Sequence, residues 1–285
     1  MAHPSPAGTS ILTVIIPASN EEAYIGDCLR ALLEQDTDLS PVHVIVAANG
    51  CSDRTAARAK VFQADFASRG WLLQVLDIAE GGKVNALNRS EEAADPSAPR
   101  VYLDADVLCD PALIGQLAAA LSTDEPCYAT GTLVVRPPAS FVTRRYAAIW
   151  TRLPFVTGGA VGAGLFAVNA AGRARWAAFP DIISDDTFVR LNFAPSERIE
   201  VPARYHWPMV EGGRRLIRVR RRQDAGVAQI ESLYPHLMAN EGKSRVGAGL
   251  LSRLALSDPV GLAIYVGIGS ATRLRQQDAT WSRGR

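Results

Sequence analysis

The sequence is poor in the residues that build metal clusters and disulfide frameworks, with four histidines and only Cys28, Cys51, Cys109 and Cys127 as cysteines in 285 residues. No two cysteines form a Cys-x-x-Cys pair, which argues against a zinc site and a disulfide scaffold and fits a reducing compartment. An excess of charge of either sign is missing as well. The formal net charge of +1 leaves no global field for nucleic acid, so that partner is not expected and any basic patch is local. Long apolar runs are absent too: the longest late one, Pro259 to Ala271, falls well short of the ~20 residues of a spanning helix. The opening "MAHPSPAGTS" is polar and Pro-rich rather than a secretory signal, and reads as a loose tail over residues 1–10. A soluble, cytoplasmic protein is the expectation. What the chain does have is apolar mass, 48% hydrophobic residues, enough to fill a substantial core.

That mass is distributed in a regular rhythm. "ILTVII" (Ile11 to Ile16) and "VHVIVAA" (Val42 to Ala48) are continuous apolar runs, as in strands buried on both faces. "WLLQVLD" (Trp71 to Asp77) and "RVYLD" (Arg100 to Asp104) supply two more strands. Between them, Ile25, Leu29 and Leu32 recur at helical spacing, Ser52 or Asp53 stands ready to cap a helix running to about Ala67, and "KVNALNRSEEAA" reads as a third helix. Pro111 suits the first turn of the next one. Four strand–helix alternations with short connections predict an α/β fold, a mostly parallel central sheet with helices on both faces. Ligands then bind beyond the carboxyl ends of the strands. The polar punctuation gathers there: Asn20-Glu21-Glu22, Asn49 to Asp53, Asp77 to Lys83, and Asp104 with Asp106.

The stretch "VYLDADVLCD" puts two acids at the end of a predicted buried strand, where unpaired charge is costly. Carboxylate oxygens suit hard cations such as Mg²⁺ or Mn²⁺, held by one or two acids plus substrate phosphates. The plainer reading is a solvated strand end, with Asp110 capping the next helix. A second acidic cluster, "ISDDTFVRL" (Ile183 to Leu191), is either an N-capped helix with acids in its favoured first turn or a chemical centre.

The ordered series "VIIPASNEEAYIGDCLRAL", "VIVAANGCSDRTA", "GGKVNALNRS" and "VYLDADVLCD" resembles glycosyltransferase family 2, over Thr13 to about Leu191. The resemblance implies a Rossmann-like GT-A fold and a nucleotide-sugar enzyme. Pro17, Ala18, Asn20 and Glu22 would then line the nucleotide pocket, and Asn49 and Asp53 would sit beside the base. Family members often carry an acid where this chain has Asn49. Lys83 would lie near the nucleotide or its phosphates, Asp106 would hold the metal, and Asp104 would assist near the ribose. Asp186 takes the place of the catalytic base, with Asp185 its rival. An inverting transfer needs such a carboxylate to take the acceptor's hydroxyl proton. For Asn20, Glu22 and Asp53, helix capping is the competing reading.

Three further features bear on the site. "TGGAVGAG" (Thr157 to Gly164) contains a loose dinucleotide fingerprint, Gly162-x-Gly164-x-x-Ala167, but it follows a loop and "LFAV" after it reads as a strand. A loop shaping an acceptor pocket fits better, and Gly82-Lys83 is no phosphate-binding P-loop. The basic run "GGRRLIRVRRRQ" sets Arg214, Arg218 and Arg221 on one helical face. Arg218 and Arg221 are candidates for the diphosphate, against a solvated basic face or attraction to a membrane surface. His206 is a candidate third metal ligand, and Trp176 and Trp207 suit either sugar stacking or the core.

The expected organisation is a flexible tail over 1–10, a catalytic domain over 11–210, and a C-terminal helical extension over 211–285. The expected activity is metal-dependent inverting transfer from a nucleotide-diphosphate sugar to a hydroxyl of a saccharide, lipid or small molecule. Mn²⁺ or Mg²⁺ is the expected metal. The alternatives are a sugar nucleotidyltransferase, or a nucleotide-sugar-binding protein without chemistry. The amphipathic stretch beyond Ser257, followed by Arg273 and Arg275, suits peripheral contact with the inner face of a membrane, a buried helix, or contact with a second copy in a homo-oligomer.

Overall fold

The first strand sets the architecture. In the computed structural model, which describes residues 11–158, 160–242 and 246–274, β1 (Leu12–Ala18) is almost wholly buried because helices cover both of its faces. Leu12, Val14 and Ile16 point to one side, where α1 (Ile25–Leu33) packs Ile25, Leu29 and Leu32 against them. Ile15 points to the other and meets Leu87. The chain then lays down β2 (Val42–Asn49), α2 (Thr55–Lys60), α3 (Gln63–Ser68), β3 (Leu72–Ile78), α4 (Lys83–Ala93) and β4 (Arg100–Leu103). The helix expected to run from Asp53 to about Ala67 is broken. Phe62 donates its backbone N–H to Ala59 O, an i to i−3 bond that tightens the turn and separates α2 from α3.

The second half adds β5 (Leu108–Cys109), α5 (Leu113–Ala120), β6 (Tyr128–Val135), α6 (Phe141–Trp150), α7 (Pro154–Thr157), β7 (Leu165–Val168), α8 (Ala170–Arg173), α9 (Asp185–Leu191) and β8 (Arg198–Trp207). These complete a sheet of order β3-β2-β1-β4-β7-β6-β8-β5. β1, β2, β3 and β4 run parallel, β7 is antiparallel to both β4 and β6, and β8 runs parallel to β6. The chain leaves β1 toward β2 on one side and returns to β4 on the other. A crevice therefore opens between the carboxyl ends of β1 and β4, the switch point at which sheets of this kind bind ligands.

The C-terminal helices are α10 (Gly213–Leu233), α11 (Ala248–Ser257) and α12 (Pro259–Arg273). They pack with α6 around Tyr146, Ile149, Leu216, Leu254 and Ile268. α12 is fastened at both ends. Asp258 caps it by accepting from Gly261 N at 2.7 Å and also bonds Arg145 of α6. Arg221 donates to the Ala271 carbonyl at 2.7 Å and the Thr272 carbonyl at 3.3 Å. Arg275 and the tail 1–10 lie outside the described residues.

Candidate active site

The crevice is built on Asp104. Its backbone N–H donates to Gly164 O at 2.8 Å, which ties the turn after β4 to the start of β7. Gly164 has φ +74°, and a Cβ there would stand 2.7 Å from Trp207 Cδ1 and 3.0 Å from Val107 Cγ2. Only glycine fits this approach. Across the crevice Lys83, the first residue of α4, reaches two acids at once, with Nζ 2.9 Å from Asp104 Oδ1 and 3.1 Å from Asp185 Oδ2. Burial pulls the Lys83 ammonium's pKa down, but Asp104, Asp185 and Asp186 pull it up harder, so it is held above the ordinary lysine range. Asp185 is nearly sealed from solvent. Burial pushes its carboxyl up, Lys83 opposes, and Asp186 and Asp104 push it further, leaving the net shift upward.

Around this bridge lies a cavity of about 210 Å³ lined by Pro17, Lys83, Asp104, Asp106, Asp185 and Asp186, with Trp207 and Arg222. Four carboxylates face two cations there, so the cavity is acidic, although the chain as a whole is nearly neutral. Beside it opens a second cavity of about 590 Å³. Trp150, Phe155 and Tyr265 give this one an aromatic wall, and Arg190 and Arg198 give it a basic one. Arg190 is paired with Glu241 at 2.8 Å, and burial lowers the Arg198 guanidinium's pKa to about 10. Thr157, Gly158, Ala160, Val161 and Ala163 of the Gly-rich loop line it as well. Asp186 lines both cavities, as do Ser184, Ala163 and Gln223.

The crevice thus gathers Pro17, Lys83, Asp104, Asp106, Asp185 and Asp186. Other residues singled out in the sequence stand apart from its lining. Ala18 is buried, and its carbonyl accepts from Asn49 Nδ2 at 3.0 Å. Asn49 is 2% exposed, and its Oδ1 accepts from Gly82 N at 2.9 Å, which fixes the entry to α4. Asn20 Oδ1 accepts from Ser52 N at 2.7 Å, and Asp53 Oδ2 from Glu22 N at 3.1 Å. Glu22 pairs with Arg54 at 2.6 Å. These groups lace the loops after β1 and β2 together. His206 bonds Asp110 at 2.8 Å, and among the described residues no cluster of three or more His, Cys, Asp or Glu side chains is arranged to hold a metal. Arg221 is bound to the end of α12, and Arg218 is exposed. The arginine lining the acidic cavity is Arg222, one residue beyond the predicted row. Nothing in the sequence separates it from its neighbours, because the inward face of α10 is set by tertiary packing. Trp176 belongs to the core, while Trp207 stacks on Trp150 with ring centroids 5.8 Å apart.

Fold and site together define an α/β enzyme-type scaffold with an acidic crevice at a topological switch point. The sequence model of glycosyl transferase family 2 matches residues 13–176, and the chain belongs to that family. Among curated proteins, it is 36% identical over 99 residues to 4,4'-diaponeurosporenoate glycosyltransferase of Staphylococcus aureus strain MRSA252, covering 34% of this chain and 24% of that protein. It is 32% identical over 84 residues to the uncharacterized glycosyltransferase EpsJ of Bacillus subtilis strain 168, covering 30% of this chain and 23% of that one. The matched stretch therefore spans about a quarter of these relatives' length. Among solved structures, the mannosyltransferase PcManGT from Pyrobaculum calidifontis, in complex with GDP-Man and Mn²⁺, superposes with a TM-score of 0.56 at 22% identity, covering 96% of this chain and 78% of that one. TarS 1–349 of S. aureus in complex with UDP gives 0.54 at 15% identity, covering 89% and 74%. Glucosyl-3-phosphoglycerate synthase from Mycobacterium tuberculosis, in complex with Mn²⁺, UDP and phosphoglyceric acid, gives 0.50 at 19% identity, covering 85% and 82%. These likenesses establish the GT-A fold.

Proposed function

We propose that the chain is a metal-dependent, inverting glycosyltransferase that moves a sugar from a nucleotide-diphosphate sugar to a hydroxyl acceptor. The observation that carries this reading is Asp186, a carboxylate in the wall shared by the acidic cavity and the larger aromatic one. A donor in the first and an acceptor in the second meet at that side chain. The donor set of the acidic cavity fits a hard divalent cation, since its carboxylate oxygens face space that an unaccompanied diphosphate would find repulsive. Asp106 and Asp104 are the residues that would hold Mn²⁺ or Mg²⁺. When bound, that ion supplies positive charge for the departing nucleoside diphosphate. The Mn²⁺ complexes of PcManGT and glucosyl-3-phosphoglycerate synthase are in keeping with this assignment.

The chain's own groups divide the remaining work. Lys83 has three protons; two are directed at Asp104 and Asp185, and the third is available to a phosphate oxygen. Asp185, buried and tied to Lys83, positions that ammonium. Asp186 takes the acceptor's hydroxyl proton as the oxygen attacks the anomeric carbon from the side opposite the leaving group, and inversion follows from that geometry. In this reading residues 11–210 are the transferase unit, and α10, α11 and α12 after it form an extension that closes the acceptor side. The four cysteines, none in a disulfide, suit a cytoplasmic setting.

The test is thermal stability against UDP- and GDP-sugars with Mn²⁺, Mg²⁺ or EDTA, followed by product analysis. A matching nucleotide with metal adds roughly 2.7 kcal/mol of stability at a hundredfold excess over its dissociation constant. Asp106→Ala removes the metal-dependent part of that shift. Asp186→Asn keeps the shift and lowers turnover by roughly 10² to 10⁴-fold. Unchanged turnover in Asp186→Asn, or a product that retains the donor's anomeric configuration, overturns the mechanism.

A further inference from the structure

The chemistry proposed for the two cavities leaves the outer surface of α11 and α12 unused, and that surface is unlike a water-facing one. Leu251 is 45% exposed, Leu256 87%, Val260 50%, Val266 55% and Leu274 83%. At 3.6 residues per turn, Pro259, Ala263, Val266, Ser270 and Leu274 fall on one stripe of α12, and all five are exposed. Residues 259–272 contain no charged side chain at all. A helix lying on a protein surface ordinarily turns its charged face to water; this one turns an uncharged, largely apolar face outward.

Among the described residues, the exposed charges of α11, α12 and the first turns of α10 share one sign. Arg253 on α11 and Arg273 at the end of α12 are exposed. Arg214, Arg215 and Arg218 are exposed on the first turns of α10. Arg214 and Arg218 lie in the same helical row as Arg221, which is fastened to the last carbonyls of α12. The acid between α11 and α12, Asp258, is buried and engaged by Gly261 and Arg145. The acids of α10, Asp224 and Glu231, lie beyond Arg221 toward its other end.

We propose that the α11–α12 face docks on an anionic lipid bilayer. An apolar stripe seats at the headgroup–acyl boundary while bordering guanidinium groups meet lipid phosphates. No helix among the described residues is long and apolar enough to cross a membrane; the contact lies along the interface. Tyr265, on the opposite side of α12, lines the larger cavity, so docking sets a single helix between the bilayer and that cavity. The docking stands on surface composition alone and does not require the donor chemistry.

The test is co-sedimentation of the full chain with phosphatidylcholine vesicles and with vesicles of equal parts phosphatidylcholine and phosphatidylglycerol. The chain binds the anionic vesicles and binds phosphatidylcholine alone at least tenfold more weakly. Binding weakens as salt shortens the Debye length from ~10 Å at 0.1 M to ~3 Å at 1 M. Arg253→Gln and Arg273→Gln each weaken binding about fivefold. The double variant Leu256→Asp/Val266→Asp abolishes it while keeping the wild-type circular dichroism and nucleotide-dependent thermal shift. Wild-type protein that stays in the supernatant with both vesicle types overturns the proposal, as does vesicle binding that the double variant leaves intact. A solution dimer that the same double variant converts to monomer also overturns it, because a second copy then covers the face.

Discussion

At the scale of single residues, the acids of the crevice were legible because a buried strand running into Asp-Ala-Asp demands compensation. The sequence did not reveal who compensates. The family resemblance puts Lys83 near the phosphates, and the structure shows it bridging Asp104 and Asp185, 21 and 102 positions away, a pairing that no local pattern carries. Asn49 is the more instructive case. Its Nδ2 donates to Ala18 O at 3.0 Å and to Ala47 O at 3.1 Å, while its Oδ1 accepts from Gly82 N. One side chain must donate on one edge and accept on the other, which a carboxamide does and a carboxylate cannot. Asn49→Asp, which installs the acid common in the family, turns a carboxylate oxygen toward two buried carbonyls and costs about 3 kcal/mol at pH 7. The introduced acid has a folded pKa above its unfolded value of about 3.9. Its protonated form can still donate, so the deficit is small below that pH and grows as pH rises through the folded pKa. Urea titrations of the variant and wild type across this range check the claim, and equal stability at pH 7 would sink it.

At the scale of elements, the parallel half of the sheet was readable because strands buried on both faces must be apolar throughout. β8 was not. Its burial alternates, with Ile199 and Glu200 exposed and Val201, Ala203 and Tyr205 buried, and it bulges opposite Gly131 and Thr132. The basic stretch that opens α10 reads as helical, yet its orientation depends on a contact far away in sequence. Gly226 sits where α10 crosses the start of the acid-bearing helix, and a Cβ there would lie 2.1 Å from Ser184 Oγ and 2.9 Å from Ser184 Cβ. Ser184 immediately precedes Asp185 and Asp186, so a displaced α10 moves the proposed base. Gly226→Ala destabilises by about 2 kcal/mol through overpacking and lowers kcat more than it raises the donor KM. Gly267→Ala is the matched control, since nothing lies within 4 Å of its Cβ position. There alanine gains up to ~1 kcal/mol from helix propensity. Denaturant midpoints and steady-state kinetics of the two variants separate packing from propensity; a neutral Gly226→Ala would show that α10 does not set the position of α9.

At the scale of the whole molecule, the expected division at residue 210 lies where the sheet ends and the last helices begin, but the packing crosses it. Ile230 of α10 belongs to the same apolar cluster as Ile15, Leu87 and Tyr102 beneath the sheet. Leu216 and Ile268 share another with Ile149 and Trp150 of α6. Asp258 with Arg145, and Arg221 with the end of α12, anchor the last helix at both ends to elements on either side of the boundary. An extension joined through two apolar clusters and two polar anchors cannot leave without opening the core, because Ile230 and Leu216 would each uncover a partner's buried surface. Composition announced the helices and their charges, but not that they complete the larger cavity, since Tyr265 and Arg220 reach its wall only through tertiary packing. The expected outcome is one cooperative thermal transition. Far-UV circular dichroism, which reports the helices, and tryptophan fluorescence, to which Trp71, Trp150, Trp176 and Trp207 of the sheet-bearing part contribute, share a single midpoint, with calorimetric and van't Hoff enthalpies in agreement. A chain ending at residue 210 then fails to reach the native fluorescence. If instead the helical signal melts first while the fluorescence of the sheet domain persists, the C-terminal helices fold as a separate unit, and the larger cavity is a site assembled by docking rather than built into the core.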